Sequence, residues 1–345
     1  METDSVELAR VINILSQTQK IVPGLPTTEN YQTLEAQVLN GPDAGQTVTV
    51  ANDYLNLQQG QEFYLTHTVD PQDAINAYNV QEPYRLPDVF LLVALFVAAV
   101  VIFGGKQGIR GLLSLAASLA VIFWVLLPAI LHGYSPIVVS IGISSFIVVI
   151  GSYITHGFTR TTTAAVLGMI VTILFTGALA WWAVHATQLT GFTSEEASYL
   201  SYDLQGKIDF VGLLLGGIMI GLLGILYDAA IGQAIAVEEL SSAAAHLSRK
   251  EIYMRALRIG REHIGALVNT LAIAYVGASL PLLLLLHFSN IPLAATINEE
   301  LFSSEIVRTM VGSIGLVLAV PLTTLVAVVM LYGRSSTELG HGHRH

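Results

Sequence analysis

FVGLLLGGIMIGLLGILYDAAI, residues 210–231, is a run of 22 residues in which Asp228 is the only charge. A helix rises about 1.5 Å per residue, so the run is long enough to cross a hydrocarbon core of about 30 Å. Six further apolar runs reach spanning length, at 86–103, 111–131, 137–154, 164–185, 264–287 and 311–332. The sequence therefore predicts an α-helical polytopic membrane protein with seven transmembrane helices between residues 86 and 332.

Composition supports the same class. Charged residues make up 12% of the chain, whereas a soluble domain carries about a quarter. The mean hydropathy of +0.64 is also strongly positive. These values exclude a soluble enzyme, and the lipid bilayer is the first expected partner.

The basic residues alternate between the two sides of the predicted spans. If the first span runs from outside to inside, nine of them fall in cytoplasmic segments: Lys106, Arg110, Arg160, Arg249, Lys250, Arg255, Arg258, Arg261 and Arg334. The opposite side holds Arg85, Lys207 and Arg308. By the positive-inside rule this bias predicts a multi-pass protein of the cell membrane, with its N-terminus outside and its 333–345 tail in the cytoplasm.

The segment 1–85 reads as a small extracytoplasmic β domain. Strands are predicted at 6–15, 31–39, 46–51, 62–69 and 77–84, and the turn sequence NGPDAG at 40–45 precedes the alternating TVTV at 47–50. Five short strands predict a barrel or sandwich of the OB or SH3-like kind. Residues 1–88 hold twelve acidic and three basic residues, so no nucleic-acid partner is expected.

Candidate functional residues begin on the 210–231 run. Four of its residues share one helical face: Gly217, Gly221, Gly224 and Asp228. The glycines predict close helix packing. Asp228 is either an ion- or proton-binding carboxylate or half of a structural pair with Arg110, Arg160 or Arg261.

Further polar residues follow on the same predicted side of the membrane. They are Glu238, Glu239, Arg258, Arg261, His263, Asn269 and Thr270. We interpret this set, with Asp228, as a candidate substrate or ion path. The alternative for residues 249–263 is an amphipathic interfacial helix held to anionic lipid by its arginines.

Several short motifs occur in a fixed order along the chain. They are GGKQGIR (104–110), HGF (156–158), GLLGILYD (221–228), GREHIG (260–265), NTL (269–271) with AYVG (274–277), NEE (298–300) and GSIGLVLAVP (312–321). In this order the chain resembles the YibE/F-like family of multi-pass membrane proteins, and LNGPDAGQ (39–46) resembles that family's exported β segment. The resemblance implies membership and topology, and it implies no substrate.

The motifs that are absent narrow the function. The chain has no His-Glu-x-x-His run and no second intramembrane aspartate to form a dyad with Asp228, so an enzyme is not expected. It also has no Gly-x-x-x-x-Gly-Lys-Ser/Thr loop. We therefore predict a transporter or permease that is not ATP-driven by itself and has no cofactor; whether it binds a metal is open. The alternative is a non-catalytic assembly or sensory subunit that holds a partner through the outer β domain. A homo-oligomer or a complex with another membrane subunit is the expected assembly.

Overall fold

The computed structural model describes residues 5–21, 28–53, 55–70, 75–193, 195–203, 208–244 and 246–333. Lys207, Arg334 and the predicted cytoplasmic tail beyond Gly333 lie outside these residues. The chain divides into two compact units, Met1–Ala99 and Val100–His345.

The first unit contains a closed β-barrel. Its strands are β1 (Ser5–Ile21), β2 (Thr28–Val38), β3 (Thr47–Asn52), β4 (Glu62–Asp70) and β5 (Ile75–Pro83). Around the barrel the order is β1-β2-β3-β5-β4, β1 also pairs with β4, and the β3–β5 pair is parallel. The predicted β domain is thus confirmed, and of the two predicted forms the chain adopts the barrel.

The barrel core is built from residues that alternate between buried and exposed positions along a strand. Along β3 the even-numbered residues Val48, Val50 and Asn52 are buried, because successive side chains of a strand point to opposite faces. Near one turn Asp43 accepts a hydrogen bond from the Tyr78 hydroxyl at 3.1 Å, and its Oδ2 lies 2.7 Å from His67 Nδ1. The pKa of Tyr78 is raised, most by partial burial of the side chain and next by its hydrogen bond to Asp43.

The rest of the described chain is helical. The helices are α1 (Leu86–Val121), α2 (Leu127–Leu131), α3 (Pro136–His156), α4 (Arg160–Ala186), α5 (Glu195–Asp203), α6 (Phe210–Gly221), α7 (Leu223–Ala243), α8 (Arg249–Ala278), α9 (Leu280–Phe288), α10 (Leu293–Asn298) and α11 (Glu300–Leu331). A π-helical turn, Ile122–Leu126, joins α1 to α2.

Polar side chains fix where several helices begin. Thr159 accepts a hydrogen bond from the Thr162 N–H at the start of α4, and Asp209 accepts one from the Gly212 N–H at the start of α6. Ser248 and Glu251 form a capping box at the start of α8. From there α8 continues without a break into the predicted sixth span, so the interfacial segment and the span are one helix.

Five helical segments of the described chain are long and apolar enough to cross a membrane, or six if α8 and α9, bent by 68°, count as one broken span. The seven predicted spans are therefore supported only in part. The difference arises mainly at 86–131, where two predicted spans form one helical segment that is interrupted at Gly105 (φ 52°, ψ −136°).

Contacts between helices set their directions. Tyr227 on α7 donates to the Gly151 carbonyl on α3, and Gly216 on α6 packs against Ser140. Both pairs have the same sequence offset of 76, so α3 runs parallel to α6 and α7. Helices α4 and α11 are antiparallel, because Gly168 contacts Thr323, whereas Thr176, later on α4, contacts Gly315, earlier on α11.

The second unit consequently has two distinct ends. The Glu300 end contains Pro136, Gly191, Phe210 and Glu300: Glu300 accepts from the Gly191 N–H, and the ring of Phe210 lies 4.6 Å from that of Phe192. The other end, here named the basic end, contains His156, Arg160, Leu247 and Tyr332. There the Tyr332 hydroxyl donates to the Leu247 carbonyl, and the Gln107 amide donates to the Thr155 carbonyl. The described basic residues of this end are Lys106, Arg110, Arg160, Arg249, Lys250, Arg255, Arg258 and Arg261.

Candidate functional site

A cavity of about 230 Å³ opens between α7, α8 and α11 on the side of the basic end. Its polar lining comes from Asp228 and Gln233 on α7 and from His263 on α8. Gly232, Ile259, Gly260, Leu267 and Val320 supply the apolar wall. Two of the predicted site residues, Asp228 and His263, therefore share one concave surface, and Gln233 joins them.

Close helix contact forms the floor of this cavity. Gly260 is buried, and a Cβ at this position would collide with Val320 on α11 and Gln233 on α7. The Gln233 side chain is 4% exposed and donates from Nε2 to the Ala256 carbonyl at 2.7 Å. Because an unpaired buried amide is costly, this hydrogen bond fixes Gln233 across the α7–α8 contact.

Asp228 itself is exposed to the cavity and has a histidine neighbour. His156, at the end of α3, is the nearby histidine. The ring of His156 lies 5.8 Å from the ring of Tyr227, the residue beside Asp228. Among the residues that the structure describes, Asp228 forms no ion pair with an arginine, so the predicted pairing with Arg110, Arg160 or Arg261 is not found.

The remaining predicted path residues do not line the cavity. Glu238 is half-buried and Glu239 exposed, further along α7, and Arg258 and Arg261 are exposed on α8. Asn269 and Thr270 are exposed on α8, and the Thr270 hydroxyl donates to the Ala266 carbonyl of its own helix. We conclude that the candidate site is narrower than the predicted path.

The predicted glycine stripe makes few close contacts within the described chain. A Cβ at Gly217 or Gly224 would meet no described heavy atom within 4 Å, and one at Gly221 would approach only the Tyr275 hydroxyl, at 2.7 Å. The tight contacts of this helix are made by Gly212 and Gly216, against Pro136 and Ser140 on α3. The buried face of α6 is thus rotated away from the face that the spacing suggested.

Sequence reasoning missed three contributors: His156, Gln233 and Gly260. His156 and Gly260 both belong to motifs that carry the family resemblance, HGF and GREHIG, but neither was assigned to a site. Gln233 could have been noticed as an amide five residues beyond Asp228 on the same helix, where a polar side chain needs a partner.

The lining of the cavity contains two ionisable side chains, the carboxylate of Asp228 and the imidazole of His263. No group of three histidine, aspartate or glutamate side chains within the described ranges is placed to hold a metal ion.

Apolar helices of spanning length, an N-terminal barrel and a cavity with a carboxylate at its lip define a multi-pass membrane protein. The chain belongs to the YibE/F-like family: the family described as YibE/F-like protein matches residues 92–333. Comparison with curated proteins and with solved structures gives no match. The resemblance seen in the sequence motifs is confirmed.

Proposed function

We propose that this protein is an ion-coupled transporter or permease of the cell membrane, with no enzymatic activity and no cofactor. The observation that carries the proposal is the cavity between α7, α8 and α11, with Asp228 at its opening and Gln233 and His263 in its wall. Ionisable residues at membrane depth usually mark ion or substrate paths, because they are too costly to retain otherwise.

Seven spans are part of this proposal. Gly105 has a positive φ that only glycine adopts readily, and a Cβ at Gly108 would strike the carbonyl of Val100. In a straight helix residues eight apart are separated by about 12 Å, so this close approach supports a sharp turn between two spans near 86–103 and 111–131.

An N-terminus outside and a C-terminus in the cytoplasm complete the proposed topology. Eight described basic residues lie at the basic end, and Arg308 is the only described lysine or arginine of the second unit outside that group. The positive-inside rule then favours the basic end as cytoplasmic, which would open the cavity toward the cytoplasm.

Asp228 is the proposed coupling group, with His156 as its electrostatic neighbour. Binding a proton or cation at Asp228 removes one charge from the cavity opening, which lowers the cost of bringing α7, α8 and α11 together around a solute. Release of the ion restores the charge and favours reopening. This cycle uses only groups that already face the cavity.

The test is flux in proteoliposomes that contain the purified full-length protein. A pH-sensitive dye trapped inside would report proton movement while a panel of metal ions, amino acids and carboxylates is added outside. We expect one class of solute to move protons with wild type and to fail with Asp228→Asn. Glu239→Gln, a carboxylate change on the same helix but away from the cavity, serves as the matched control.

The alternative function, an assembly or sensory subunit, has a different signature. It requires a second protein that co-purifies in fixed stoichiometry and is lost when the barrel surface is changed. Absence of any solute-dependent flux together with such a partner would replace the transporter proposal.

A further inference from the structure

A second polar cluster lies at the Glu300 side of the same helices. Glu305 on α11 lies beside Arg308 and accepts a hydrogen bond from Ser279 on α8. Tyr275 lies one helical turn before Ser279 on the same helix, and its hydroxyl reaches the surface of Gly221 at the end of α6. Along α8, Tyr275 is twelve residues from His263, or about 18 Å. The cluster is therefore separate from the cavity at Asp228.

The acidic partner in this cluster is loosely held. Glu305 Oε1 lies 3.5 Å from Arg308 Nη1, and Glu305 Oε2 accepts from the Ser279 hydroxyl at 3.4 Å. A well-formed charge-assisted hydrogen bond measures about 2.8 Å. Glu305 therefore satisfies little of the hydrogen-bonding capacity of the arginine.

Arg308 has a hydrogen-bond donor that no described residue accepts. Its side chain is 28% exposed, yet its Nε is buried and has no hydrogen-bond partner in the described chain. The Tyr275 hydroxyl is not hydrogen-bonded to a described residue either. A guanidinium and a serine hydroxyl thus lie beside one carboxylate, a phenol lies one helical turn away on α8, and donors exceed acceptors.

An excess of donors around a planar guanidinium fits an oxyanion. The guanidinium fork binds carboxylate or phosphate through two parallel hydrogen bonds, and a buried donor that lacks a partner is costly until such a ligand arrives. We propose that Arg308, assisted by Tyr275 and Ser279, forms an oxyanion-binding site at the Glu300 side of the α8–α11 contact. The ligand is a carboxylate or phosphate group, from a solute or from a lipid headgroup. The site goes beyond the proposed function and is tested by binding alone.

The experiment follows thermal unfolding of the full-length protein in an uncharged, phosphate-free maltoside detergent. One arm adds sodium succinate or inorganic phosphate against sodium chloride of equal ionic strength. The other adds phosphatidylglycerol against a galactolipid that has no phosphate. At saturation we expect the unfolding temperature to rise by roughly 3 °C or more in one arm, because a ligand that binds only the folded state stabilises it. The arm that responds identifies the source of the oxyanion.

Two variants tie the effect to the site. Arg308→Lys keeps the charge but loses the fork, so the apparent affinity should fall by about tenfold or more. The double variant Glu305→Gln with Arg308→Gln removes both charges, leaves no unpaired ion, and should abolish the shift. Arg255→Gln, an exposed arginine of α8 near the basic end, should retain it. Equal shifts in the double variant and wild type, or no shift in either arm, would overturn the proposal.

Discussion

At the scale of single residues, the proposed function depends on a few side chains that lie against neighbouring helices. Asp228 lines the cavity, and no arginine of the described chain forms an ion pair with it. Glu300 is the opposite case, because its carboxylate is fully engaged by backbone and side-chain donors. The two carboxylates should therefore respond differently to neutralisation.

Asp228→Asn should abolish ion-coupled flux while the protein still folds. The amide keeps the size of the carboxylate, and no described arginine is left unpaired by the change, so the unfolding temperature should stay within about 2 °C of wild type. Flux and thermal unfolding measured on the same preparation check this. A large drop in stability would indicate a structural role, and full activity would remove Asp228 from the mechanism.

Glu300→Gln should destabilise the protein without affecting the cavity. The Glu300 carboxylate accepts hydrogen bonds from the Thr190 and Gly191 N–H groups, each at 2.7 Å, and from the Thr190 hydroxyl at 2.8 Å. An amide offers only one acceptor oxygen, so we expect a loss of about 1 kcal/mol in unfolding free energy, discounted for partial exposure. The neighbouring Glu299→Gln makes a control, because Glu299 is exposed and its side chain does not cap α11. Equal effects of the two changes would show that net charge, rather than the hydrogen bonds from Glu300 to Thr190 and Gly191 after α4, decides stability.

At the scale of helices, α4 and α11 show how the bundle is held together. Each carries a glycine and, eight residues later, a threonine: Gly168 with Thr176, and Gly315 with Thr323. In the antiparallel pair the glycine of one helix lies against the threonine of the other at both positions. Association in lipid depends on such close packing, because burial of apolar surface gains little there.

Gly168→Ala should therefore destabilise the protein, whereas Gly217→Ala should not. A Cβ at Gly168 would lie 2.7 Å from the Thr323 Cα, a backbone atom that cannot move aside cheaply, so we expect a cost of about 1–2 kcal/mol. At Gly217 the Cβ meets open space, and alanine should be neutral or slightly stabilising because it favours helix. Thermal unfolding in detergent measures both. If alanine at Gly217 destabilised the protein and alanine at Gly168 did not, the assigned buried face of α6 would be incorrect.

At the scale of the whole molecule, the topology can be tested directly because the chain has no native cysteine. Single cysteines at Thr47, Thr190 and Asn290 should react with an impermeant thiol reagent in intact cells. Cysteines at Gln107, Phe158 and Ser248, all exposed, should react only after the membrane is permeabilised. Labelling of Ser248 from outside would reverse the orientation and with it the side to which the cavity opens.

Much of the architecture could be predicted from local pattern. The five strands were predicted within a few residues of their bounds except at the end of β1, since alternation and turn residues are strong local signals in the barrel. The long apolar runs likewise predicted the main helices. The π-helical form of the turn at Ile122–Leu126 and the 68° bend after α8 were not predicted, although a proline follows each, Pro128 and Pro281, because a proline marks where a helix can break but not the form or angle of the break.

The sequence by itself determined the class of protein, the presence of a small β domain and the family, because these depend on composition, periodicity and ordered motifs. Only the tertiary structure decided which helical faces are buried and which polar residues meet. In a soluble helix the apolar stripe identifies the buried face, whereas α6 and α7 are apolar on nearly all sides. The spacing of Gly217, Gly221 and Gly224 was therefore equally consistent with a buried and an exposed face. Contacts from α3, α8 and α11 buried Gly212, Gly216 and Gly260 instead, and they brought Asp228 to the cavity with His263 and Gln233.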